Sequence, residues 1–252
     1  MCELLSLSFN EPVGCSLSFR GFRERGVRNP DGWGVARYEG PACQVFKEPV
    51  TAVTSGLASF VRDYAPFRSR IFIAHVRWAS RGEVALQNTH PFVRTFRRRE
   101  VALAHNGTLR GLRTAGLAFH PIGRTDSELL FCRLLTRLSE EGIAFTDFAR
   151  VEALLRELNE HGSLNLLLSE GEHLFAYRDG DGCNGLCVTR RRAPFDVVRL
   201  RDADWSVDLA EEKSATQRGC VVATRPLTDE HWEELTPGGL AVFAGGETVY
   251  GA

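Results

Sequence analysis

The second residue of the chain is a cysteine, and only the initiator methionine precedes it. Initiator methionine is normally removed ahead of so small a residue, and removal would make Cys2 the N-terminus. Thiol and α-amine then share one residue. The amine, with an intrinsic pKa of about 7.7 to 8.0, is placed to take the thiol proton directly or through a water. Nucleophile and base come together, so none of the seven histidines has to act as the base. When such a pair attacks a carboxamide, negative charge collects on the carbonyl oxygen, which needs fixed donors. Asn106-Gly107 supplies two: the Asn106 side-chain N–H and the Gly107 main-chain N–H, with glycine letting the backbone approach the substrate. Arg77 offers a planar fork for a carboxylate, and Asp126 offers a charge for an ammonium. Each has a plainer reading by itself. A lone early cysteine fills a core, Asn-Gly turns the chain between strands, arginine closes a strand, and aspartate at a helix start favours the helix dipole.

The elements that must position these residues are mostly strands. Strand signals run over Val35 to Tyr38, Ile71 to Trp78, Val101 to His105, Leu164 to Leu168, Leu174 to Tyr177, Val197 to Leu200, Val221 to Ala223 and Leu240 to Phe243. Glu170-Gly171 reads as a tight hairpin turn. Several runs are apolar at nearly every position, as in strands covered on both faces. Helical periodicity spans Thr54 to Tyr64, Asp126 to Glu140 and Phe148 to His161. Thr125-Asp126-Ser127-Glu128 fits a capping box, and Gly142 and Gly162 stand where helix stops belong. Paired sheets with helices laid outside give a layered α+β fold in one domain over residues 1–252.

Met1-Cys2-Glu3-Leu4, Asp31-Gly32-Trp33-Gly34, His75-Val76-Arg77-Trp78-Ala79-Ser80-Arg81-Gly82, Asn88-Thr89-His90-Pro91-Phe92, Ala104-His105-Asn106-Gly107-Thr108-Leu109 and Thr125-Asp126-Ser127-Glu128 occur in that order. Together they resemble the signature of class II glutamine amidotransferases, which are N-terminal nucleophile hydrolases, and most of all the stand-alone YafJ-type subgroup. Arg192-Ala193-Pro194-Phe195 and Thr224-Arg225-Pro226-Leu227 extend the likeness more weakly. The resemblance implies a four-layer αββα sandwich and hydrolysis of glutamine, or of a γ-glutamyl amide, through a thioester on Cys2. It implies that Asn106 and Gly107 form the oxyanion hole and that Arg77, Trp78, Ser80 and Asp126 surround the substrate. Ser80 stands where the family often has threonine and Arg81 where histidine is frequent, so the outer contacts of the site differ from the family pattern. The match fills nearly the whole chain. The expected fate of the ammonia is release, or delivery to a separate ammonia-accepting synthase; a glutamine-binding module without catalysis is the reading from another class.

Composition narrows the rest. The 252 residues are 43% hydrophobic and 25% charged with a net charge of −1, so no overall field attracts nucleic acid or anionic membrane. No apolar run approaches the roughly 20 residues a membrane-spanning helix needs. Seven irregularly spaced cysteines suit reduced thiols in a cytoplasm, and the Cys183/Cys187 pair lacks the second pair of a zinc site. His75, His90 and His105 read as structural residues and not as metal ligands, and no phosphate loop points to a nucleotide cofactor. Trp33 and Trp78 read as packing residues, with one of them placed to wall the pocket. Arg94 with Arg97 to Arg99, and Arg190 to Arg192, read as solvated loop edges.

Overall fold

The structure is a computed structural model describing residues 1–251. Two antiparallel sheets stack face to face. The first runs, in spatial order, β13 (Glu233–Glu234), β9 (Cys187–Arg192), β12 (Arg218–Ala223), β1 (Glu3–Gly14), β4 (Arg68–Val76), β2 (Trp33–Glu39) and β3 (Ala42–Glu48). The second runs β15 (Glu247–Tyr250), β14 (Leu240–Ala244), β8 (Leu174–Tyr177), β7 (Gly162–Ser169), β6 (Arg99–Leu109) and β5 (Phe92–Phe96). Helices α1 (Ser16–Glu24) and α2 (Gly56–Asp63) precede α3 (Asp126–Glu140) and α4 (Phe148–Asn159) in the chain, and the single turn α5 (Leu209–Glu212) comes last. A small ribbon pairs β10 (Val197–Arg199) with β11 (Ser206–Asp208).

The three cores follow from side chains alternating across each strand. Leu5, Leu7 and Phe9 of β1 pack with Phe19 and Phe22 of α1 and Ala58 and Val61 of α2. Leu4 faces the other way, joining Ala36, Ile71 and Ile73 against Ala102, Ala104 and Leu167 of the second sheet. On the far side, Leu103, Leu164, Leu166 and Leu168 meet Phe131, Leu134 and Leu135 of α3 and Leu154 and Leu155 of α4. Both sheets are apolar on both faces because each is covered on both, and each large aliphatic side chain so buried contributes about 1.5 to 3 kcal/mol. The layer order is helix, sheet, sheet, helix, the four-layer sandwich expected.

Helix α3 forms because Leu130, Phe131, Leu134, Leu135 and Leu138 line one buried face and Thr125 caps the start by accepting from the Glu128 N–H. The capping is one-sided. The Glu128 carboxylate accepts from the main chain of Ile122 (3.0 Å) and Gly123 (2.6 Å) and pairs with Arg94, so it anchors the loop before the helix. The helix stops at Gly142, which takes the left-handed conformation (φ 64°).

Some elements differ from the sequence reading. The strand expected to reach Trp78 ends at Val76, leaving Arg77 and Trp78 on the loop at its mouth. The run at 197–200 joins the peripheral ribbon instead of a main sheet. Arg190 to Arg192 lie inside β9, where Arg191 is buried and paired to Glu230 (2.6 Å), so they are not a loop edge. Arg94 lies on β5 paired to buried Glu128, while Arg97 and Arg98 form the β5–β6 turn.

Candidate active site

Strand β1 brings the N-terminus into the centre of the first sheet, where Glu3 pairs with Val76. Continuing that register places Cys2 beside the loop that leaves β4. Its Sγ lies 3.2 Å from the Trp78 N–H and 3.3 Å from the Trp78 carbonyl, accepting from one and donating to the other. Burial of the thiol pushes its pKa up, opposed by the Trp78 N–H, the amino-terminal charge and Arg77. With Met1, Asn29, Asn184 and Thr224, Cys2 lines a cleft of about 230 Å3. Wider hollows of about 260 and 520 Å3 lie beside α1 and beside β9, away from Cys2.

The Asp31-Gly32-Trp33-Gly34 stretch ties down the same loop. Asp31 N–H donates to the Arg77 carbonyl (3.0 Å), Arg77 N–H to the Gly32 carbonyl (2.7 Å), and the Asp31 carboxylate accepts from Ala79 N–H (2.7 Å). Glu3 holds the other side. Its carboxylate is buried against Arg25 (2.6 Å) and Arg225, and Arg25 also bonds Asp202 (2.7 Å) and the Pro226 carbonyl (2.7 Å). Residue type alone gave no sign of this network, because its members are up to 222 positions apart. Glu3→Ala leaves the Arg25 guanidinium buried with Asp202 as its remaining carboxylate partner, and we expect a loss of about 1.5 to 3 kcal/mol in urea unfolding. A loss below about 1 kcal/mol, the level of a solvated pair, counts against this anchoring.

Arg77 is 2% exposed. Its guanidinium donates to the carbonyls of Arg81 (3.0 Å) and Glu83 (3.1 Å), so in this arrangement the fork clamps the 81–83 loop. Asn88 holds that loop from below, donating to the Glu83 carbonyl (3.1 Å) and accepting from Arg124 N–H (2.9 Å). Ser80 lies exposed on the loop. The Trp78 side chain is 51% exposed, whereas Trp33 is wholly buried in the helix-side core.

Asn106 faces the first sheet from β6, on the same side as Ala102 and Ala104. It is 3% exposed; its Oδ1 accepts from Asn184 (3.4 Å), and its Nδ2 is buried without a hydrogen-bond partner. Gly107 cannot be replaced freely, since a Cβ there falls 2.0 Å from the Ser163 carbonyl oxygen and 2.6 Å from His105 Nε2. Asp126, at the start of α3, accepts from the Leu109 N–H (2.7 Å) and so fixes the end of β6.

The three histidines lie in the interior. His105 bonds Ser127 (2.9 Å) and the Ser163 carbonyl (3.2 Å) beneath the oxyanion candidates. His75 and His90 stack with ring centroids 4.2 Å apart. Burial, reinforced by the neighbouring His105 and Arg77 charges, lowers the His75 pKa to about 3. The unfolded state therefore takes up a proton that the folded state refuses, between the ordinary value near 6.5 and about 3. Stability falls as pH is lowered through that window, by up to about 5 kcal/mol for His75 alone at about 1.4 kcal/mol per unit. Urea unfolding of His75→Gln should show a shallower decline from pH 6.5 to 4; an unchanged slope removes His75 as a source.

Among the described residues, one group of metal-ligand type, Glu170, Glu172 and His173, lies at the β7–β8 turn, away from Cys2. Cys183 is exposed and Cys187 buried. No helix among the described residues is long and apolar enough to cross a membrane.

Comparison with known proteins identifies the family. The family described as class-II glutamine amidotransferases matches residues 1–252. YafJ of Escherichia coli K12, which bears a glutamine amidotransferase name, is 40% identical over 99% of this chain and 100% of its own length. An uncharacterized protein of Methanocaldococcus jannaschii is 42% identical over 99% of this chain and 71% of its own. The crystal structure of a predicted glutamine amidotransferase from Pseudomonas aeruginosa superposes with a TM-score of 0.76 at 33% identity, covering 98% of this chain and 99% of that one. The phosphoribosylpyrophosphate amidotransferase of Bacillus subtilis shares the fold, with a TM-score of 0.64 at 17% identity over 98% of this chain and 48% of that one. The chain belongs to the class II glutamine amidotransferases.

Proposed function

We propose that the chain, once Met1 is removed, hydrolyses the γ-amide of glutamine or of a larger γ-glutamyl compound through a thioester on Cys2. The α-amine of Cys2 takes the thiol proton, and the thiolate adds to the amide carbon. The oxyanion is held by Asn106 Nδ2 and the Gly107 N–H. The ammonium at Cys2 returns the proton to the departing nitrogen, which leaves as ammonia or an amine. Water, deprotonated by the freed amine, then attacks the thioester and releases glutamate.

The Arg77 guanidinium takes the substrate α-carboxylate, a charged acceptor that outcompetes the neutral loop carbonyls now bonded to it. Asp126 takes the α-ammonium, and Trp78 and Ser80 border the leaving side. The ammonia passes to water or to a separate acceptor enzyme.

One observation carries this reading: the Cys2 thiol is held against the Trp78 main chain, next to Arg77. The test is release of glutamate from glutamine and from a panel of γ-glutamyl amides, using protein whose intact mass shows Met1 removed. Cys2→Ala should abolish release from every substrate. Release that survives the substitution removes Cys2 as the nucleophile.

A further inference from the structure

Asn184 is one of three non-glycine residues with positive φ among those described, and it differs from the other two, Arg97 and Arg98, in not forming a hairpin turn between paired strands. Its backbone is left-handed at φ 64°, between Cys183 and Gly185. Non-glycine residues held in this region cluster where function needs them, and asparagine tolerates it best. The surroundings hold the loop in place. The Asp179 carboxylate accepts from the N–H groups of Cys183 (3.0 Å) and Asp181 (3.1 Å), and Asn165 donates to the Cys183 carbonyl (2.7 Å). Asn165 is also the β7 partner of Asn106, and its Nδ2 reaches the Asn106 carbonyl at 3.4 Å. One residue thus ties the strand carrying Asn106 to the loop carrying Asn184.

The product of this scaffolding is the contact from Asn184 Nδ2 to Asn106 Oδ1 at 3.4 Å, and Asn184 itself lines the cleft that holds Cys2. A carboxamide has an oxygen end and a nitrogen end of nearly equal shape, so whichever end meets a donor decides where the other points. A donor facing Oδ1 leaves the buried Nδ2 of Asn106 with no protein acceptor. A buried N–H2 without a partner is costly in a structure that has no use for it.

We propose that Asn184 is a positioning residue that selects the orientation of the Asn106 carboxamide, keeping its N–H2 turned toward the developing oxyanion. The inference rests on Asn106 being an oxyanion donor. The decisive variant is Asn184→Asp, nearly identical in shape but an acceptor. It favours the flipped amide, which turns Asn106 Nδ2 toward Asp and Oδ1 toward the oxyanion. We expect kcat to fall by about 10²-fold, the effect of losing one oxyanion donor, with KM for glutamine little changed. Asn184→Gly keeps the left-handed backbone and deletes the side chain, leaving the amide free to adopt both orientations. Its kcat should fall less than that of the aspartate variant.

The double variant separates positioning from general damage. In an Asn106→Ala background, Asn184→Asp should cost nothing further in kcat, because no amide remains to flip. Full additivity, or an aspartate variant with kcat within about twofold of the parent (under about 0.5 kcal/mol), overturns the proposal. If the aspartate variant does not fold, the glycine variant is measured in both backgrounds and judged for additivity in the same way. Cys2→Ala is assayed alongside: if it leaves glutamate release intact, the failure belongs to the hydrolase reading; if it abolishes release, the failure belongs to Asn184.

Discussion

Protein that retains Met1 will release glutamate about 10³-fold more slowly than processed protein, within the 10² to 10⁴ that a positioned general base contributes. With Met1 attached, the nitrogen of Cys2 is an amide, which has no basicity at neutral pH. The terminal amine moves one residue outward, onto a Met1 that is 74% exposed. The thiol cannot compensate. Its surroundings raise its pKa through burial more than the Trp78 N–H and Arg77 lower it, so little thiolate forms unaided. The comparison needs two preparations verified by intact mass, one processed and one carrying a bulky residue between Met1 and Cys2 to block removal. The processed form should gain activity as pH rises through the amine range near 7.7 to 8.0. Comparable turnover by the blocked form would place the base elsewhere, and His105, near Gly107, would be the next residue to test.

The residues to which the proposed function assigns chemistry were legible by residue type and spacing before any coordinates. Cysteine beside the initiator, the Asn106-Gly107 pair, Arg77 and Asp126 each carry a functional group suited to one part of an amide hydrolysis. Helices α3 and α4 were legible because each buries a single apolar stripe. The doubly covered strands were legible because few other arrangements accept runs such as Leu164 to Leu168.

What escaped notice depends on distant partners. Strand β1 alternates leucine or phenylalanine with Ser6 and Ser8, and a bulge follows Ser8, so its period is blurred. Helix α1 carries few apolar residues besides Phe19 and Phe22 and includes Gly21. In β9 the arginines hide the strand, because Arg191 is compensated only by Glu230, 39 positions away. Glu3 and Asn184 belong to the same class, since each acts through a residue that only the folded chain brings near. The Arg77 fork is a subtler case. Its residue type suggests a carboxylate, while its observed partners are the carbonyls of the 81–83 loop. Both uses need the same planar geometry.

Asn106→Ala will separate activity from stability more cleanly than any other change at this site. Its carboxamide is 3% exposed, yet its only side-chain bond is the 3.4 Å contact from Asn184, and its Nδ2 has no partner. Removing a buried group that makes so little of its hydrogen-bonding capacity returns much of the desolvation cost of about 1 to 3 kcal/mol carried by an unpaired polar group. The small cavity left behind opposes this gain. The midpoint of urea unfolding should therefore move little, or upward. Under the proposed function catalysis responds differently, because an oxyanion donor acts only when charge develops on the substrate oxygen: kcat is expected to fall about 10² to 10³-fold, while KM, assigned in that proposal to the amino-acid head on Arg77 and Asp126, changes little. Gly107→Ala provides the contrast. A Cβ 2.0 Å from the Ser163 oxygen forces β6 and β7 apart, so activity and folding stability are lost together. Steady-state kinetics beside urea unfolding distinguishes the two. If Asn106→Ala is destabilised by several kcal/mol, like the loss of a large core side chain, its amide is a structural bond of the sandwich; if its kcat stays near the parent value, the oxyanion is held by other donors.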